Sequence, residues 1–167
     1  VLKDPVSFVT KLPENPVGTA ALNEVRRYGA DTSKVVIGGS RLGIYFFEKG
    51  TDIRPTNVVY DREGSALALA KPEEFHWDEI LKDTDIFYFS GVTPAVSENI
   101  AKAVLEALKY CKAHGIETVC DLNYRSKMWD TKKAQSVMSE LMNYVTLCIA
   151  NDEDFESSLG IHAYDGD

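Results

Sequence analysis

The spacing of apolar positions changes several times along the chain, and each change marks an element. Val6-Ser7-Phe8-Val9-Thr10 is rich in β-branched and aromatic side chains and predicts a short strand. Pro13-Glu14-Asn15-Pro16 then predicts a helix start, with Asn15 as N-cap and Pro16 in the first helical position. Val17, Ala21, Val25 and Tyr28 follow at helical spacing, and Gly29 supplies the stop. Val35-Val36-Ile37 is the next apolar run. Residues 43–48 and 56–61 alternate like strands around the turn Lys49-Gly50-Thr51-Asp52. No helix separates them, so they predict an antiparallel hairpin.

From His76 onward the rhythm becomes helix alternating with strand. Residues 77–81 predict a short helix, and 85–91 a buried strand ending at Gly91. Ser97 is placed to cap a long helix whose apolar stripe is Ile100, Val104, Leu108 and Cys111, ending at His114-Gly115. Residues 116–121 predict a strand, 131–142 a helix with Ala134, Val137, Met138 and Leu141 on one face, 145–150 a strand and 153–159 a last short helix. Repeated βαβ units imply a parallel sheet with right-handed crossovers. Ligands of such sheets bind beyond the carboxyl ends of the strands. That directs attention to Ser90-Gly91, Asp121-Leu122-Asn123 and Asn151. No internal repeat or low-complexity segment interrupts the pattern.

At 167 residues the chain can bury one substantial core, and 44% hydrophobic with 26% charged residues is an ordinary globular balance. The net charge of −8 argues against a general nucleic-acid surface, while local arginines can still bind a small anion. No apolar run has membrane-spanning length. The start, Val1-Leu2-Lys3-Asp4-Pro5, lacks an initiator Met and a signal-peptide pattern, and reads as a chain beginning mid-protein. Cys111, Cys120 and Cys148 match neither a zinc site nor CxxC and read as reduced core residues of a cytoplasmic protein.

Four segments could carry chemistry. In Asp121-Leu122-Asn123-Tyr124-Arg125, which follows a strand, Arg125 can bind a carboxylate or phosphate and Asn123 a hydroxyl. The segment reads equally as a polar loop in which Asp121 caps a turn. Asn151-Asp152-Glu153-Asp154 suits hydrated Mg2+, and also suits the first turn of any helix, where the macrodipole favours carboxylates. Tyr45, Tyr60 and Arg62 share one hairpin face, either as a lid over a small polyhydroxy acid or as ordinary cross-strand pairing. Gly38-Gly39-Ser40 lacks the phosphate-loop spacings and reads as a turn. His76 and His114 read as a loop residue and a helix-end residue, neither at metal-ligand spacing.

The order of these pieces resembles the ribokinase-like (PfkB) sugar kinases. Phe8-Val9-Thr10-Lys11-Leu12-Pro13 and Arg27-Tyr28-Gly29-Ala30-Asp31-Thr32 resemble that family's early βα unit. Gly43-Ile44-Tyr45-Phe46 and Val58-Val59-Tyr60-Asp61-Arg62-Glu63-Gly64-Ser65-Ala66 resemble the hairpin of its 2-keto-3-deoxygluconate kinases. Asp121-Leu122-Asn123-Tyr124-Arg125-Ser126-Lys127-Met128-Trp129 resembles their D-x-N-x-R…W segment, and Asn151-Asp152-Glu153-Asp154 the N-x-x-E motif, with Asp154 where Glu is usual.

The resemblance implies an α/β fold of three layers, a parallel sheet flanked by helices, with an antiparallel hairpin lid and incomplete at both ends. Residues 1–167 would form one partial kinase domain, with the lid over about 41–70 and core βα units over 76–160. It implies ATP and Mg2+, with ATP-dependent phosphorylation of 2-keto-3-deoxygluconate by the parent enzyme. Tyr45, Tyr60, Arg62, Asn123 and Arg125 would contact the substrate, and Asn151 and Asp154 would position phosphate and Mg2+ through water. The G-A-G-D anion hole and the catalytic Asp do not occur here, and Ala163-Tyr164-Asp165-Gly166-Asp167 does not fit that motif, so no catalytic base is assigned and the segment alone is expected to be inactive. A cut sheet would leave edges and apolar faces open, so the segment alone is expected to dimerise, aggregate, or be a proteolytic remnant. Two other readings stand beside this one. One is a related kinase for a neutral sugar such as fructose or ribose. The other is a non-catalytic binding module that forms homo-oligomers through its hairpin.

Overall fold

The computed structural model describes residues 4–162, so the reading of residues 163–167 lies outside the described residues. The chain divides into two compact units, Val1–Ala70 and Lys71–Asp167.

In the first unit, helix α1 (Pro16–Arg27) starts where its cap dictates. Asn15 Oδ1 accepts the Val17 and Gly18 amides, each at 3.0 Å, and Gly29 takes the left-handed conformation after the last turn. The strand expected at residues 6–10 lies elsewhere. Strand β1 (Lys11–Leu12) pairs in parallel with β2 (Val36–Ile37), and the earlier run contributes a bridge from Ser7 to Asp31 and the Thr10 carbonyl, which accepts the Val36 amide at 2.9 Å. The partner strand causes the shift. The turn at Thr32, closed by the Val35 amide on the Thr32 carbonyl at 3.2 Å, interrupts pairing until Lys11.

Strands β3 (Ile44–Glu48) and β4 (Asn57–Asp61) form the expected antiparallel hairpin, with Tyr45 opposite Tyr60 and Phe47 opposite Val58. The Gly38-Gly39-Ser40 segment bends at Gly39 and Ser40. Gly39 has φ 84°, and a Cβ there would meet the Ala66 Cβ at 3.0 Å, so both backbone and packing favour glycine.

The second unit contains a three-stranded parallel sheet in the order β5 (Ile86–Ser90), β6 (Glu117–Asp121), β7 (Leu147–Ile149). A 3₁₀ turn at Pro72–Glu74 precedes α2 (Trp77–Ile80). Helix α3 (Glu98–His114) crosses from β5 to β6, capped by Ser97 Oγ on the Ile100 amide at 3.3 Å and ended by left-handed Gly115. Its stripe of Ile100, Val104, Leu108 and Cys111 is buried. Helix α4 (Thr131–Met142) crosses from β6 to β7 and buries Ala134, Met138 and Leu141. Helix α5 (Asp152–Leu159) follows β7.

Phe87 packs with Trp77, Leu81, Ala107 and Cys111, which covers one face of the sheet. The other face differs from the buried strand expected at residues 85–91. Ile86 and Tyr88 are 55% and 57% exposed, and Leu147 and Ile149, two strands away on the same face, are also open. A continuous apolar run suits a parallel strand covered on both sides, and the described residues cover only one. Cys111 and Cys120 are buried free thiols, and Cys148, next to Cys120 across the sheet, is half-buried.

Candidate functional site

Arg41 organises the base of the hairpin in the first unit. Its guanidinium pairs with the Asp61 carboxylate, donates to the Glu63 carbonyl, and reaches the Asp61 carbonyl at 3.3 Å. Its own carbonyl accepts the Ala66 amide at 2.8 Å. A two-stranded hairpin is marginal by itself, so these bonds matter to its shape. Sequence reasoning missed Arg41, because an Arg before a strand has no distinguishing neighbour in the chain.

The clamp brackets the residues expected to carry chemistry. Tyr45 and Tyr60 lie directly opposite, with ring centroids 6.3 Å apart. The Arg62 guanidinium carbon sits 4.6 Å from the Tyr60 ring centroid, a cation–π contact. The unit thus presents two phenols and one guanidinium together. Ile44, Phe46 and Val59 occupy the opposite hairpin face and are exposed.

In the second unit, parallel strands bring their carboxyl ends to one edge. Gly91 allows β5 and the segment after β6 to touch there. A Cβ on Gly91 would fall 2.0 Å from the Leu122 carbonyl oxygen, and the Gly91 amide donates to the Asp121 carbonyl at 2.7 Å. Buried Leu122 anchors the segment, its amide bonded to the Ile149 carbonyl at 3.0 Å. Asn123 adopts φ 39°, unusual for a non-glycine residue, and its Nδ2 donates to Ser90 Oγ at 3.1 Å. Arg125 is exposed, with one guanidinium nitrogen on the Tyr124 carbonyl at 2.9 Å.

Asn151 caps α5 by accepting the Asp154 amide at 2.8 Å. Asp154 Oδ1 accepts the Tyr124 amide at 3.0 Å, which ties the segment after β6 to the segment after β7. Asp121 lies on the open sheet face, where the Tyr88 hydroxyl donates to it at 3.5 Å. Burial, then the Asp121 charge, raises the Tyr88 hydroxyl above its ordinary value near 10.

The histidines take ordinary structural positions. His76 precedes α2, and His114 ends α3 with Nδ1 near the Tyr110 carbonyl at 2.9 Å. Among the described residues, no group of three or more His, Cys, Asp or Glu side chains could hold a metal. Mg2+ needs only one or two carboxylates when substrate phosphates and water fill the rest of its shell. Asp152, Glu153 and Asp154 in the first turn of α5 fit that kind of donor set.

This order of hairpin, strand-end loop and capped acidic helix agrees with a family comparison. The pfkB family carbohydrate kinase model matches residues 1–165. The chain belongs to that family.

Among PfkB relatives, a 2-dehydro-3-deoxygalactonokinase of Haloferax volcanii is 36% identical over 161 residues, covering 96% of this chain and 49% of its own length. A solved 2-dehydro-3-deoxygluconokinase of Thermotoga maritima superposes with a TM-score of 0.92 at 46% identity, over 96% of this chain and 49% of that one. A PfkB carbohydrate kinase of Listeria grayi gives 0.92 at 33% identity, over 99% and 52%. The α/β architecture is therefore that of the ribokinase-like kinases. The chain spans about half the length of the relatives it matches.

Proposed function

We propose that the protein carrying this chain is an ATP-dependent carbohydrate kinase that phosphorylates a 2-keto-3-deoxy sugar acid, with 2-keto-3-deoxygluconate as the reference substrate. The observation that carries this reading is the Tyr45–Tyr60–Arg62 constellation on the hairpin. Two phenols offer hydrogen bonds to sugar hydroxyls, and a guanidinium offers paired donors to a carboxylate. The names of the Haloferax and Thermotoga relatives support the same substrate class.

In this reading Tyr45, Tyr60 and Arg62 hold the sugar acid from the hairpin. Asn123 bonds a hydroxyl, and Arg125 faces the carboxylate or the transferred phosphoryl group. Asn151, with the second carboxylate oxygen of Asp154, positions phosphate and hydrated Mg2+ through water. The metal, when bound, neutralises charge developing on the phosphates. No residue described here is assigned as the general base. The protein acts in the cytoplasm, and its hairpin also joins copies of the chain through the face carrying Ile44, Phe46 and Val59.

Isothermal titration of 2-keto-3-deoxygluconate, with and without MgATP, into this chain and the full-length protein tests the reading. Binding and turnover by the full-length protein, weakened by Arg62→Ala and Arg125→Ala, are expected. Turnover of fructose or ribose that is insensitive to both substitutions would replace the sugar acid with a neutral sugar. Absence of binding to any sugar would leave a binding module.

A further inference from the structure

Asp154 stands where the family resemblance places a glutamate, and its carboxylate turns toward the neighbouring loop. The Tyr124 amide that it accepts belongs to the peptide joining Asn123 to Tyr124. That peptide follows the residue with left-handed backbone, so its orientation sets the exit from Asn123 and the start of Arg125. Asparagine adopts such a conformation more readily than other non-glycine residues, and its surroundings hold it there. Three bonds do so here: Asp154 to the Tyr124 amide, Asn123 Nδ2 to Ser90 Oγ at 3.1 Å, and the Tyr124 hydroxyl to the Trp129 carbonyl at 3.1 Å. Asp154 is itself fixed in the first turn of α5, because Asn151 binds its amide.

We propose that Asp154 is a positioning residue for the sugar-acid loop at residues 121–125, acting as hydrogen-bond acceptor for the Tyr124 amide. This rests on the sugar-acid kinase reading for its effect on substrate, but not for the bond itself. The role requires an oxygen acceptor and no negative charge. Asparagine at this position keeps an acceptor of similar reach, and alanine does not. A carboxylate needed only to hold a hydrated cation would fail in both variants.

The test compares Asp154→Ala with Asp154→Asn in the full-length protein. Amide hydrogen exchange at Tyr124 is read without substrate, and KM for 2-keto-3-deoxygluconate and for ATP is read separately. Asp154→Ala is expected to speed Tyr124 exchange about tenfold or more and to raise the sugar-acid KM by about the same factor. Asp154→Asn is expected to keep Tyr124 exchange within about twofold of the parent, because its side-chain oxygen still accepts the amide. The proposal is overturned if Asp154→Ala leaves Tyr124 exchange unchanged, or if Asp154→Asn loses as much protection as Asp154→Ala. If the parent protein turns over no 2-keto-3-deoxy sugar acid, the sugar-acid reading falls, and the exchange measurement still decides the role of Asp154 in the loop.

Discussion

Thr118 and Thr146 hold each other where β6 begins and β7 is about to begin. The Thr118 amide donates to Thr146 Oγ1 at 2.9 Å, and the Thr146 amide donates to Thr118 Oγ1 at 3.0 Å. The Thr146 hydroxyl also donates to the Thr118 carbonyl, and the Thr118 hydroxyl to the Tyr144 carbonyl, both at 2.7 Å. This pin sets the register of the two strands that carry the loops after Asp121 and Ile149.

Thr118 is 1% exposed, so its hydroxyl has no water to fall back on. Thr118→Val keeps the shape and leaves the Tyr144 carbonyl without this donor. The expected loss is about 1–3 kcal/mol, read from the urea midpoint. Thr118→Ser should recover most of it. An unchanged midpoint in the valine variant would show that the hydroxyls contribute no net stability.

The cysteines give a pH dependence of known sign. Burial pushes the Cys111 thiol from near 9 up to about 11, and drives Cys120 further in the same direction. Between those values the folded chain keeps protons that the unfolded chain releases. Their contribution is full below pH 9 and is lost as pH rises toward 11. Urea midpoints at pH 8 and pH 10 should therefore fall with pH. The Cys111→Ala, Cys120→Ala double variant should show a smaller fall, whatever its starting stability. Equal slopes in both proteins would remove the thiols as the cause.

The two hairpin faces should respond differently to substitution. Phe46 is 61% exposed on the face opposite Tyr45 and Tyr60. Phe46→Lys in the full-length protein is expected to reduce its oligomeric state by sedimentation, while sugar-acid affinity changes less than about threefold. Tyr60→Ala should do the reverse, weakening sugar-acid binding by about tenfold or more. Unchanged sedimentation for Phe46→Lys would rule out this face as the interface.

Much of the architecture was legible because its signals are local. Asn15, Ser97, Gly29 and Gly115 mark helix ends through their own backbone chemistry, and residues 131–142 became a helix with the predicted bounds. The hairpin was legible because turn residues separate two runs rich in β-branched and aromatic side chains. The strand expected at residues 6–10 was not found there, since pairing depends on a partner more than twenty residues away. Likewise, the apolar run 85–91 reported its composition but not which face would be covered.

The sequence by itself determined the helix boundaries, the hairpin, the parallel βαβ order and the residue types at each strand end. These follow from capping, periodicity and turn chemistry within a few neighbouring residues. Only the tertiary structure decided that Arg41 clamps Asp61 and Glu63, that Asn123 turns left-handed onto Ser90, and that Asp154 holds the Tyr124 amide. Each of those contacts joins residues twenty or more positions apart. Hydrogen-bond geometry, which resolves tenths of an ångström, exists only after the sheet has brought them together.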